Sequence, residues 1–261
     1  MKLCRYTNLE SFDPHYAVLS GEAVSPLLDD DVFGHPPRVS KNEISLSEVK
    51  LLAPVVPTKI ICVGRNYRDH AVELGNPMPS EPLLFFKPPS AIIASGDSIE
   101  LPALSNQVEH EGELGVVIGR LARRLGETDE PLDYVLGYTC VNDVTARDLQ
   151  RKDVQFTRAK SFDTFCPTGP FVETSLDPND VSITTRLNGE IKQQARTSAM
   201  AFSVSFIIRY ISQVMTLYPG DLIATGTPAG VSKLQDGDVV EVEVEGIGVL
   251  SNSVRRISLL N

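Results

Sequence analysis

Short apolar runs that stop at turn residues recur along this chain, and their length fits strands better than helices. KIICV at 59 to 63, PLLFFK at 82 to 87, ELGVVIG at 113 to 119 and VLGYTCV at 135 to 141 are of this kind. Farther on, SITTRLNGEIKQQ sets Asn188 and Gly189 between alternating residues. That pair predicts a tight type I′ hairpin, because both central positions of such a turn need positive φ. VVEVEVEGIGVLSNSV reads as another strand pair. Helical spacing is clearest from Ser203, where Val204, Ile207, Ile208, Ile211, Val214 and Met215 form an apolar stripe with a stop expected at Pro219-Gly220. Strands and helices do not alternate regularly, which disfavours a doubly wound or barrel-type α/β sheet. The fold expected is mainly β (α+β), a mixed β-sandwich roll with peripheral helices.

A Pro-containing stretch around Pro54 and Pro57 separates residues 1–55, read as a small N-terminal domain, from the patterned region at 56–261. With 42% hydrophobic residues the chain can fill a core of its own. Its 24 Lys and Arg against 34 Asp and Glu give a formal net charge of −10, a sign that repels nucleic acid and anionic membrane. Neither a signal-length nor a membrane-length apolar run occurs, so a soluble, cytoplasmic protein is expected. Cys4, Cys62, Cys140 and Cys166 are far apart without a CxxC pair, which argues for reduced core thiols rather than zinc or disulfides.

Glu111 and Glu113 stand two apart at the start of ELGVVIG, so strand alternation points both carboxylates to one side. Close carboxylates repel, and a hard cation relieves this by taking oxygen ligands from both. Counted with Glu109 they also read as a solvated acidic face; Asp143, ending VLGYTCVND, supplies the third carboxylate that favours a metal site. The competing role for Asp143 is to cap a helix beginning in TARDLQ. Thr145 and Asp148 have capping-box spacing and can take that role instead. A set without Cys or His predicts Mg²⁺ or Mn²⁺ over Zn²⁺.

In KIICVGRNYRDHAVELG, His70 and Glu73 are i, i+3 neighbours if the segment is helical, so the carboxylate would orient the imidazole and raise its basicity. The same HxxE pattern also occurs on plain surface helices. Lys87 and Lys160 lie at the ends of apolar segments; each alone reads as a snorkelling side chain, and with Arg65 they would hold an anionic substrate. In DLIATGTPAGV a strand ends at Gly226-Thr227-Pro228, where the hydroxyl and amide of Thr227 would grip a carboxylate. No GxGxxG, Walker A or GxSxG pattern occurs.

Taken in order, VGRNYRDH, FFKPPSA, VEHEGELGVVIG, NDVTARDLQ, RAKSFDTFCPTGP and YPGDLIATGTPAGV resemble the fumarylacetoacetate hydrolase family from about residue 59 to 255. The resemblance implies a β-roll catalytic domain at 56–261, a homodimer, and one Mg²⁺ or Mn²⁺ per subunit. It matches Glu111, Glu113 and Asp143 to the metal-binding carboxylates, His70 and Glu73 to the pair that handles the catalytic water, and Lys160 to the active-site lysine. Arg65, Lys87, Gln150 and Thr227 match substrate-binding positions, and residues 70–79 a lid. The amino-terminal part is much shorter than in the tyrosine-degrading fumarylacetoacetase, whose additional carboxylate ligand has no counterpart placed in this chain.

The activity this implies is hydrolysis of a C–C bond in 2,4-diketo acids, acylpyruvate or fumarylacetoacetate-like, through an enolate stabilised by the cation. The alternatives on the same site are oxaloacetate decarboxylase or tautomerase and 2-hydroxy-dienoate isomerase. A keto-acid-binding protein without turnover is a further alternative.

Overall fold

The computed structural model describes residues 1–9, 13–29, 32–33 and 37–257. The amino-terminal strands are β1 (Lys2–Asn8), β2 (His15–Ser20), β3 (Ala23–Pro26), β4 (Ile44–Ser45) and β5 (Val49–Leu52). Next come β6 (Ile60–Gly64), helix α1 (Arg68–Glu73), β7 (Leu83–Lys87), β8 (Ile92–Ile93), β9 (Ser98–Leu101) and β10 (Val108–Glu109). The middle holds β11 (Gly112–Ile118), β12 (Val135–Asn142), β13 (Thr145–Ala146), α2 (Arg147–Lys152), α3 (Thr157–Lys160) and β14 (Cys166–Glu173). The hairpin β15 (Ser182–Leu187) and β16 (Glu190–Arg196) is followed by α4 (Val204–Val214), β17 (Leu222–Ala224), β18 (Val239–Val244) and β19 (Gly248–Arg256).

All four apolar runs between 59 and 141 are strands, and the expected mainly β fold with peripheral helices is the one observed. Among the described residues the large sheet runs β4-β3-β2-β1-β14-β12-β11-β17-β6-β7, with β5 and β8 paired onto β1 and β14. A second sheet runs β16-β15-β18-β19-β9, and β10 pairs with β13. Strands β1 to β5 extend the large sheet, since β1 lies antiparallel to β14 with Leu3 opposite Val172. Asn188 and Gly189 take positive φ of 53° and 81°, as a type I′ turn requires.

Strand β11 is the seam between the sheets. Its Leu114, Val116 and Ile118 enter a core shared with Ile183 of β15, Val242 and Val244 of β18 and Ile207, Ile208 and Ile211 of α4. Val117 faces a different cluster with Ile60, Cys62 and Leu222. Two-residue alternation therefore turns Gly112 towards the second sheet and leaves Glu113 on the opposite side. A Cβ at Gly112 would overlap the Thr185 hydroxyl of β15. Gly112→Ala should lower the unfolding free energy of the metal-free protein by about 2 kcal/mol, read from urea melts. An unchanged midpoint would mean that Thr185 gives way freely.

Two expectations need correction. Helix α4 starts at Ser203 as predicted, the hydroxyl accepting from Phe206 N–H at 3.3 Å, but it ends at Val214. Met215 is extended and the chain turns to pair Leu217 with Ala122, so Val214 is 61% exposed. Likewise Thr145 is no helix cap. It lies in β13 opposite Glu109 and its hydroxyl donates to the Asp143 carbonyl at 2.9 Å, so α2 starts later, at Arg147. Asp148 accepts instead from Ser105 Oγ and Asn106 N–H. Strand pairing with β10 has replaced the local cap.

All four cysteines are buried free thiols. No helix among the described residues is long and apolar enough to cross a membrane.

Candidate active site

The antiparallel register of β11 and β12 sets Gly112 opposite Asn142. That register places Glu111 and Glu113, which flank Gly112, beside Asp143, which follows Asn142. Asp143 N–H donates to the Glu111 carbonyl at 2.8 Å, and Glu111 N–H donates to Asn142 Oδ1 at 2.9 Å. All three carboxylates are buried, and one oxygen from each lies within 4.8 Å of the others. The solvated acidic face is thereby excluded, Glu109 included, which is also buried.

Three buried cations surround this cluster. Lys160 Nζ donates to Glu111 Oε2 at 2.8 Å and Asp143 Oδ2 at 2.6 Å, and sits 4.9 Å from the Phe85 ring centroid. Lys87 Nζ donates to Asp143 Oδ1 at 2.6 Å and to the Val144 carbonyl at 3.0 Å. Arg147 bridges Glu109, at 2.7 Å, and Glu111, and also donates to Gln150 Oε1 at 2.6 Å. Burial opposes ionisation of Glu111, but Lys160 and Arg147 outweigh it and hold the carboxyl well below the usual range. Burial likewise opposes the Lys160 charge, and Asp143 with Glu111 overcomes it, so this ammonium keeps its proton.

Glu113 is the exception. Its carboxylate accepts the Gly226 N–H at 2.8 Å and has no ion-pair partner among the described residues. Burial pushes its carboxyl well above the usual range, and the Asp143 and Glu111 charges push the same way. Four buried carboxylates (Glu109, Glu111, Glu113, Asp143) thus meet three buried cations (Lys87, Arg147, Lys160). The unbalanced carboxylate lies on the all-oxygen triad, and a hard divalent cation fits that donor set and that charge.

A cavity of about 170 Å³ opens on the triad. Of the ten side chains named from sequence, Arg65, His70, Glu111, Glu113, Asp143, Gln150, Lys160 and Thr227 line it, while Glu73 and Lys87 lie outside its lining and contact it through His70 and Asp143. His70 Nδ1 is 3.1 Å from Glu73 Oε2 on α1, and Glu73 Oε1 accepts the Gly230 N–H at 3.0 Å. Arg65 adopts φ 57°, a costly conformation for a side-chain-bearing residue. The adjacent Asn66, fully buried, holds this turn by donating to the Phe202 and Thr225 carbonyls and accepting Phe202 N–H.

Lys87, expected from the sequence at the substrate, lies outside the cavity lining and gives hydrogen bonds to Asp143 and the Val144 carbonyl. Neither Lys87 nor Lys160 snorkels; both are buried. Arg147, the partner of Glu109 and Glu111, was missed. Its only sequence signal is a position four after Asp143, which does not reveal burial. Arg151, Phe85 and Phe156, which also line the cavity, were missed as well.

The family described as Fumarylacetoacetate (FAA) hydrolase C-terminal matches residues 59–255, and the Rv2993c-like N-terminal family matches residues 1–54. This chain belongs to the fumarylacetoacetate hydrolase family. Within it, Protein Rv2993c of Mycobacterium tuberculosis is 46% identical over 249 residues, 92% of this chain and 94% of that protein. Oxaloacetate tautomerase YisK of Bacillus subtilis is 45% identical over 225 residues, 80% of this chain and 74% of the tautomerase. Two solved structures are similar throughout. The 2-hydroxyhepta-2,4-diene-1,7-dioate isomerase of Mycobacterium marinum superposes with TM-score 0.88 at 42% identity, covering 98% of both chains. The maleylpyruvate hydrolase of Sphingobium sp. SYK-6, in complex with manganese (II) ion and pyruvate, gives TM-score 0.81 at 29% identity over 99% of this chain and 100% of that one.

Proposed function

We propose that this chain catalyses keto–enol exchange on a small 2-keto acid of the oxaloacetate type, with Mg²⁺ or Mn²⁺ held by Glu111, Glu113 and Asp143. The observation that carries this reading is one cavity lined by both His70, paired with Glu73, and a buried all-oxygen triad with Lys160 beside it. A divalent cation there would supply Lewis acidity towards the 2-keto oxygen.

The chain's own residues account for the proton transfer. Glu73 accepts from Nδ1 of His70, which leaves the Nε2 lone pair as the base that removes a proton from C3. The same nitrogen returns the proton to oxygen to complete the exchange. Lys160, kept protonated, offsets negative charge as it develops. Arg65 and Gln150 bind and orient the carboxylates of the acid, and the Phe85 and Phe156 side chains exclude water from that wall. Likeness to an oxaloacetate tautomerase and to a dienedioate isomerase supports proton transfer as the first reading.

Hydrolysis of acylpyruvates is the second reading, favoured by the likeness to a maleylpyruvate hydrolase. It would use the same base on a water molecule. Metal-stripped protein, with and without Mg²⁺ or Mn²⁺, should be given oxaloacetate and acetylpyruvate in parallel with product identification. Metal-dependent enol exchange without carbon loss supports the first reading; acetate and pyruvate from acetylpyruvate support the second. Carbon dioxide from oxaloacetate would make the chain a decarboxylase, and metal binding without turnover a keto-acid-binding protein. His70→Ala should lower turnover by about 10²- to 10⁴-fold with Mn²⁺ affinity unchanged in calorimetry. A variant that retained full activity would remove His70 from the mechanism.

A further inference from the structure

Gln193 lies on β16 in the second sheet, fully buried and outside the cavity lining. Its amide joins four groups. Oε1 accepts the Gly112 N–H at 3.0 Å and faces His110 Nδ1 at 3.2 Å, while Nε2 donates to Thr227 Oγ1 and the Pro228 carbonyl, both at 2.7 Å. The amide orientation is forced, because a backbone N–H needs an acceptor and a carbonyl needs a donor. His110 must then carry its proton on Nδ1, and its Nε2 accepts from the Ser232 hydroxyl at 2.7 Å. Thr227 in turn donates its one hydroxyl proton to the Gly112 carbonyl at 2.9 Å. That hydroxyl therefore meets a ligand only as an acceptor.

One side chain thus ties Gly112, set between two triad carboxylates, to the cavity wall at Thr227 and Pro228. The same wall segment holds Glu113 through Gly226 N–H and Glu73 through Gly230 N–H. It also crosses β16 tightly: Gly230 has φ 105°, and a Cβ there would overlap the Lys192 carbonyl. We propose that Gln193 is a positioning residue for ligand binding, which fixes segment 226–230 against the cavity without touching substrate. The effect on substrate rests on the proposed function; the effect on the segment does not.

Gln193→Glu keeps the shape and the acceptor towards Gly112 and replaces the donor to Thr227 and Pro228 with oxygen. Gln193→Met removes both functions without introducing a charge. In each variant KM for oxaloacetate should rise about tenfold, which is about 1.4 kcal/mol, through loss of the contacts to Thr227 and Pro228, with kcat and Mn²⁺ affinity changing less than KM. Hydrogen–deuterium exchange of peptide 225–231 in the Mn²⁺-loaded protein should accelerate by a similar factor. Thr227→Val combined with Gln193→Met should raise KM by less than the product of the two single effects, because the two variants share the Gln193–Thr227 contact. Additive effects, or exchange and KM at parental values, would overturn the proposal. So would a parallel fall of Mn²⁺ affinity and thermal stability, which marks a general core residue. If the parent protein turns over neither oxaloacetate nor acetylpyruvate, the functional reading fails, and the exchange comparison still decides the role of Gln193.

Discussion

Glu113→Gln should abolish tight metal binding and lower turnover about a thousandfold, while leaving the metal-free protein as stable as the parent. The rate effect follows from losing several kcal/mol of Lewis-acid stabilisation at about 1.4 kcal/mol per decade. The stability half follows from the environment of Glu113, which without metal favours the neutral acid that Gln imitates. Gln retains an oxygen for the Gly226 N–H. Calorimetry with Mn²⁺ and urea melts of the stripped protein check the two halves separately. A stripped variant markedly less stable than the parent at neutral pH would show that Glu113 is ionised and paired there. The same shift gives a pH dependence. Because the folded carboxyl sits above its ordinary value of 4.5, the metal-free fold binds this proton more tightly than the unfolded chain does. The Glu113 contribution to metal-free stability is therefore full below 4.5 and is lost as pH rises through the folded value, a loss absent from Glu113→Gln. Metal uptake by the parent should release this proton, seen as buffer-dependent binding heat.

Lys160→Met should behave in the opposite way, destabilising the metal-free protein by about 3 kcal/mol. Its ammonium is held between Glu111 and Asp143, and removal leaves two buried carboxylates short of a partner. Arg147 and Lys87 still cover the remaining oxygens, which keeps the loss at the lower end for a broken buried pair. Bound Mn²⁺ would restore part of the missing positive charge, so its stabilising increment in thermal melts should be larger in the variant than in the parent. A stability change within 0.5 kcal/mol, the range of ordinary surface substitutions, would mean that Lys160 serves chemistry alone.

Local pattern carried much of this reading. The apolar runs at 59–141 became β6, β7, β11 and β12 because strand length and period are written into neighbouring residues, and the Asn188-Gly189 turn because few residues tolerate its positive φ. The placement of Glu111 and Glu113 on one side followed from the same alternation. Ordered motifs supplied the rest, including the convergence of His70, Lys160 and Thr227 on one cavity.

Other features were decided between elements distant in sequence. Whether TARDLQ opens as strand or helix depended on β10 being present to pair with Thr145 and Ala146, a contact no local capping rule contains. Lys87 serves Asp143, 56 residues away, and Arg147 serves Glu109 and Glu111 across the same register. Gln193, in the other sheet, reaches Thr227 only because the sheets pack face to face at Gly112. The strands, the turn and the residue types of the triad were legible in the chain, since backbone preference and side-chain period act over a few residues. Packing between distant elements set which cation answers which carboxylate and left Glu113 without an ion pair among the described residues, because charge balance becomes a constraint only after packing has removed water.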